Sequence, residues 1–305
     1  MRAFSDTVMK LSSHILIIVA LTPLVAFCLT SSPPDHASSA SGQGETEEQS
    51  VKQALEHHLC DATYIEFLGI KAQLPVLFHV DGTPIPLTKH MVFWGVAGLL
   101  LLWMGLANAR KVGGVPKGFA NLLEAFIIFL RDEVVYPAMG ETDGRRWLPF
   151  FLTVFFFILF ANLLGMIPWG VTPTGNISMT GGMALVILIL LFGAGVIYNG
   201  PIGFLKTFMP PGIPIVIVPI LFVIEIIGLF VKAFALCMRL FANMLAGHAV
   251  IAVFMVLITS ILIAPISILG AVAISLLELF VAFLQAYIFT ILSATFIGMM
   301  AHPSH

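Results

Sequence analysis

Residues 225–248 read EIIGLFVKAFALCMRLFANMLAGH, and the fold turns on this stretch. It sits inside an apolar run spanning residues 213–264, the longest in the chain. Three ionisable side chains interrupt it, at Glu225, Lys232 and Arg239. A charge at the bilayer centre costs about 2.5–3.5 kcal/mol on insertion scales. A guanidinium cannot shed its proton to escape that cost. Spacing by seven turns each charge only about 20° from the last on a helix, so the three form one stripe about 21 Å long. Arg239 lies well inside the run, where an ionisable residue marks a functional site.

Working outward, 59% of the 305 residues are hydrophobic and 10% charged, with mean hydropathy +1.04. A soluble domain carries about 25% charged residues. The chain therefore reads as an all-α polytopic membrane protein. Its net charge of −2 gives no basis for binding nucleic acid. One crossing needs about 20 apolar residues. The runs 213–264 and 266–301 are far longer and contain few breakers. Steep tilt accommodates such lengths. With Pro265 marking the turn, residues 213–301 read as a long, tilted antiparallel helical hairpin. Three shorter spans precede it, His90–Ala109, Trp147–Trp169 and Met183–Tyr198, making about five core helices. GFANLLEAFIIFLRDEVVYPAM, residues 118–139, reads as an interfacial or partly embedded helix. The glycines and prolines of NGPIGFLKTFMPPGIP, residues 199–214, end one helix and start another.

Residues 1–30 resemble a secretory leader: Arg2 and Lys10 flank the apolar stretch HILIIVALTPLVAFCLT. An uncleaved N-terminal anchor is the alternative. Residues 31–56 are polar and Gly/Ser/Glu-rich, a flexible linker. The membrane domain then occupies 57–302. Its first part, 61–88, is a small external segment with a turn at Asp81-Gly82-Thr83-Pro84. Arg110, Lys111, Lys117, Arg131, Arg145, Arg146 and Lys206 fall in two loops, and the loop at 170–182 has no Lys or Arg. The positive-inside rule makes those two loops cytoplasmic. The N-terminus is then external and the C-terminus cytoplasmic.

No phosphate-binding loop, zinc motif or nucleophile elbow occurs. Cys28, Cys60 and Cys237 form neither a disulfide framework nor a metal site. Glu56-His57-His58-Leu59-Cys60-Asp61 could chelate a metal, but adjacent histidines do not share a helix face. It reads as a polar juxtamembrane segment, and neither metal nor cofactor is implied. The buried polar set is Asn162, Glu225, Lys232, Arg239, Asn243, His248, Glu278 and Gln285.

Arg239 and Asn243 are four apart and share a face. His248, nine residues from Arg239, points the opposite way. Glu278 and Gln285 share a face of the last helix. His248 lies 17 residues before Pro265 and Glu278 13 after it, so the two can meet across the hairpin. Gln285 and Arg239, 20 after and 26 before, match less well. Blander readings stand beside these. His248 and Asn162 can simply hydrogen-bond between helices, and Glu225 and Lys232 can snorkel or pair. A buried carboxylate, a His and a Gln beside a fixed cation still read best as a proton pathway. A stand-alone proton channel or secondary transporter is the first alternative; it calls for internal repeats or matched broken helices, and the sequence has no such repeat. A non-conducting membrane scaffold is the second, and it leaves Arg239 without a role.

Glu225-x6-Lys232-x6-Arg239-Leu240-Phe241-Ala242-Asn243-Met244-x-Ala246-Gly247 resembles the signature of subunit a of F-type ATP synthases, whose penultimate helix carries Arg-Leu-Phe-(Gly/Ala)-Asn-Met-x-Ala-Gly. Leu284-Gln285-Ala286-Tyr287-Ile288-Phe289 is similar to a segment of that family's last helix. Ala161-Asn162-Leu163-Leu164-Gly165-Met166-Ile167-Pro168 is similar to its Asn-Leu-Leu-Gly-x-x-Pro segment. Gly114-Val115-Pro116 and His57-His58-Leu59 fit as well. The resemblance covers about residues 55–302, leaving 1–54 outside. It implies a multi-pass subunit of the bacterial inner membrane, beside a ring of c subunits, with the b-subunit stator and the F1 sector as further partners. ATP chemistry would reside in other subunits, and this subunit alone would not be catalytic. Arg239 would separate two aqueous half-channels. Asn243, His248, Glu278 and Gln285 would line or adjoin the outer one, and Glu225 the cytoplasmic exit. Lys232, Asn162 and Gly247 would be supporting residues. In some members the positions of His248 and Glu278 hold an acid and a His instead, as expected of two partners in one relay.

Overall fold

The computed structural model describes residues 64–67, 70–73, 76–80, 83–86, 88–109, 118–167, 172–208, 217–257 and 264–301. The leader, the linker, the stretch Glu56–Asp61, and Arg110, Lys111 and Lys117 lie outside them. Four short strands come first: β1 (Tyr64–Phe67), β2 (Ile70–Gln73), β3 (Val76–Val80) and β4 (Thr83–Pro86). β1 pairs antiparallel with β2, and β3 with β4, with Val80 opposite Thr83. The chain thus reverses between Val80 and Thr83, and Thr83 and Pro84 belong to β4. The all-α description applies to the membrane part that follows.

That part begins with α1 (Lys89–Ala109). α2 (Phe119–Phe129) continues through a π-helical turn, Leu130–Val135, into α3 (Tyr136–Gly165). After a 3-10 turn, Pro173–Gly175, come α4 (Ile177–Thr207), α5 (Val218–Val256) and α6 (Ala264–Ala301). Among the described residues, five helical segments are long and apolar enough to cross a membrane.

Two glycines set the span limits. Gly140 has φ 76°, ψ 166° and Gly200 has φ 71°, ψ 167°, a conformation open essentially to glycine alone. Gly140 separates the α2 segment from the crossing helix, which therefore starts ahead of Trp147 and ends at Gly165, short of Trp169. Gly200, followed by Pro201, breaks α4 where residues 199–214 were read to end one helix and start another. Pro265 is corrected: it is the second residue of α6, where its missing N–H costs nothing, and so opens the last helix rather than forming the turn.

α3 is the central element. Its phenylalanine-rich run buries Phe151, Phe155 and Phe157 completely. Phe157 meets Trp94 of α1 edge-on at 4.7 Å between ring centroids, and Phe155 meets Phe283 of α6 at 5.6 Å. At one end of α3, the Tyr198 hydroxyl donates to buried Asp143 at 3.1 Å and accepts from Trp147 Nε1 at 3.2 Å. Nearby, Asn199 Nδ2 donates to the Met300 carbonyl at 2.8 Å, joining α4 to α6.

α5 and α6 have 39 and 38 residues. At 1.5 Å per residue they are about 58 and 57 Å long, nearly twice the ~30 Å hydrocarbon thickness, so they run obliquely. Their outer face is apolar and uncovered among the described residues, with Ile224, Phe234, Leu276 and Phe280 all exposed.

Candidate functional site

The polar residues of the hairpin converge in two pairs. Asn243 Nδ2 donates to Gln285 Oε1 at 2.8 Å. His248 Nδ1 stands 3.7 Å from Glu278 Oε1. Both acceptors sit on one face of α6, seven residues apart, and both are buried while His248 and Asn243 are more open. Among the described residues, Glu278 Oε1 and Gln285 Nε2 have no hydrogen-bond partner. A buried polar atom left so costs about 1–3 kcal/mol. The two groups thus retain capacity to bond something else.

The backbone explains how Glu278 gets so close. A Cβ added to Gly247 would lie 2.7 Å from Glu278 Oε1. A side chain at position 247 would make the Glu278 carboxyl shift from its place against α5.

Arg239 is half-buried and, among the described residues, has neither an ion-pair nor a hydrogen-bond partner. Small residues flank it on the open side, Ala235, Ala242 and Ala246, all exposed. Gln285, matched poorly to Arg239 by residue counting, takes Asn243 instead, one turn along the same face. Glu225 is half-buried 14 residues away, about four helical turns. Lys232 places its ammonium 5.5 Å from the centre of the Phe296 ring on α6, a cation–π contact.

Asn162 ties three elements together. Its Nδ2 donates to the Ala282 carbonyl of α6 at 3.3 Å, and its Oδ1 accepts from Thr174 at 2.7 Å. Cys237 is buried beside Thr180 and is a free thiol among the described residues.

Three participants escaped the sequence reading. Thr172 Oγ1 lies 2.6 Å from His248 Nε2. His90 Nδ1 lies 3.3 Å from the Thr172 carbonyl. Gly165 makes room for Thr172: a Cβ there would come within 2.8 Å of the Thr172 backbone and closer still to its side chain. The available signals were a His at the mouth of the first span and a Thr in a loop without positive charge. Neither says that they meet.

The arrangement is a chain of titratable and hydroxyl groups reaching into a helical bundle, next to a cation that has no partner among the described residues. Residues 90–298 match the family described as ATP synthase A chain. The chain belongs to the ATP synthase subunit a family. It is similar to ATP synthase subunit a of Myxococcus xanthus, 46% identical over 230 residues, 72% of this chain and 75% of that one. It is 43% identical over 263 residues to that of Chloroherpeton thalassium, covering 82% and 77% of the two chains. The likeness to the Pelodictyon phaeoclathratiforme protein is 36% over 330 residues, 98% and 96% of the two. Family membership and the long apolar helices make this a bacterial membrane protein, a membrane subunit of an ATP synthase.

Proposed function

We propose that this subunit a conducts protons between two half-channels and the carboxylates of a rotating c ring, with Arg239 as the separator. The observation that carries this is a guanidinium unpaired among the described residues on an open, alanine-lined face of α5, with the Asn243–Gln285 and His248–Glu278 pairs ranged along the hairpin beside it. A fixed cation favours the ionised form of any carboxylate brought to it. A ring carboxylate reaching Arg239 therefore gives up its proton, and no proton passes directly through a permanent positive charge. Protons enter through the outer half-channel, past His248, Glu278, Gln285 and Asn243. They leave on the cytoplasmic side, where Glu225 stands. Lys232, held over Phe296, keeps the stripe between them positive. The driving force is about 2.3 kcal/mol per charge per 100 mV.

On this reading the c ring covers the outer face of α5 and α6, while the b stator and the F1 sector complete the complex. Exposed Arg145 and Arg146 face the cytoplasm and the loop holding Thr172 faces outward. The membrane domain spans 57–302, behind a leader and a linker. The test is Arg239→Ala in the reconstituted complex. Proton-driven ATP synthesis should be abolished with the complex still assembled; synthesis at the parental rate would overturn the proposal.

A further inference from the structure

We infer that Thr172 is a positioning residue for the proton step at His248, and that His90 and Gly165 exist in this geometry to hold Thr172 in place. The inference rests on the proton-route reading of His248 and Glu278 and extends it to the loop after α3 and to the start of α1.

The imidazole of His248 has two nitrogens and both are addressed. Nδ1 faces Glu278 Oε1 at 3.7 Å, and Nε2 meets the Thr172 hydroxyl at 2.6 Å. A hydroxyl is both donor and acceptor and rotates to suit its neighbour. When His248 is neutral with its proton on Nδ1, toward the carboxyl, the Thr172 O–H donates to Nε2. When the ring is protonated, Nε2–H donates to Thr172 Oγ1. One side chain therefore serves both protonation states without the ring having to turn. The hydrogen bond at one nitrogen selects the tautomer that presents the other. Thr172 thus keeps Nδ1, the nitrogen facing Glu278, in the exchange position.

Thr172 is itself fixed on several sides. It is buried in a loop. Its carbonyl accepts from the Gly175 N–H at 3.0 Å and contacts His90 Nδ1 at 3.3 Å. Its side chain rests over Gly165, where no Cβ would fit. Thr174, two residues on, is locked to Asn162, which bonds α6 at Ala282. Four elements, α1, α3, the 3-10 turn and, through Asn162, α6, converge to set the position of one hydroxyl. Such convergence is out of proportion to simple loop closure. It is the support expected around a group whose position the chemistry depends on.

The experiment compares Thr172→Val, Thr172→Ser and His248→Gln in the purified complex in proteoliposomes. It reads ATP-driven proton pumping by a pH-sensitive dye and assembly by native electrophoresis. Valine keeps the shape and removes the hydroxyl; serine keeps the hydroxyl. The expected result is an assembled valine variant with pumping lowered about tenfold, the scale of one lost hydrogen bond to a charged group, and a serine variant near the parent. If the valine chain does not assemble, Thr172→Ala removes the hydroxyl without adding volume and should show the same loss. Pumping at the parental rate without the hydroxyl, or a serine variant as impaired as valine, overturns the inference. His248→Gln separates the two levels. If it pumps like the parent, the proton-route reading fails; if it is impaired while the hydroxyl-free variants are not, only the role of Thr172 fails.

Discussion

Gly247 shows how much can hang on an absent side chain. A Cβ there would meet the Glu278 carboxyl at 2.7 Å, in the position it holds against α5. Gly247→Ala should push that carboxyl away from His248. A misplacement of about 1 Å in a reacting pair can cost up to about a hundredfold. We expect an assembled complex whose proton-driven ATP synthesis falls by about tenfold or more; an unchanged rate would show that the 3.7 Å approach is not needed. At this scale the sequence was informative where chemistry is costly. Arg239 stands out because hydrocarbon penalises it. His248 and Glu278 were matched by counting from Pro265, although Pro265 turned out to open α6, because both arms were measured from the same point. The Asn243–Gln285 contact was missed since counting treats the arms as parallel rods, whereas oblique helices trade partners by a turn. Thr172 and His248 are separated by 76 positions. No periodicity links a loop hydroxyl to a helix imidazole.

Among the described residues, hydropathy located the five helices long and apolar enough to cross a membrane, and misjudged many of their ends. Apolar content does not record the backbone angles at which a helix breaks, and Gly140 is the example. It looks like one of many small residues, yet its φ of 76° with ψ of 166° lies where a side chain is strained. Gly140→Ala has open space around its new methyl, so the cost is conformational alone. It should destabilise the protein by about 1–3 kcal/mol, seen as a lower thermal midpoint in detergent. No shift in that midpoint would mean the break relaxes into continuous helix. The strands β1 to β4 were unread because each is four or five residues long. So short a strand carries too little alternation to tell it from a loop.

Over the whole molecule, burial is lopsided. Residues 148–158 of α3 are all buried, while among the described residues α5 and α6 leave a wide apolar face open. An exposed apolar patch of that size marks an interaction surface. Lipid alone does not call for an arginine and a row of alanines in its middle. A tagged chain, extracted from its native membrane in mild detergent, should bring down a ring of small two-helix proteolipids. Extraction of the chain with other ATP synthase subunits but reproducibly without that ring would contradict the assignment of this face.

The hydrogen bonds from Asn162 and Asn199 have a mechanical meaning. Both end on backbone carbonyls of α6, at Ala282 and Met300. The two points are 18 residues apart, about 27 Å along the helix. A rod pinned once can pivot; a rod pinned twice is a beam. Sideways load on the outer face of the hairpin would pass through the α6 main chain into α3 and α4. The side chains of Glu278 and Gln285, mounted beside the first pin, would keep their aim while their surroundings are sheared.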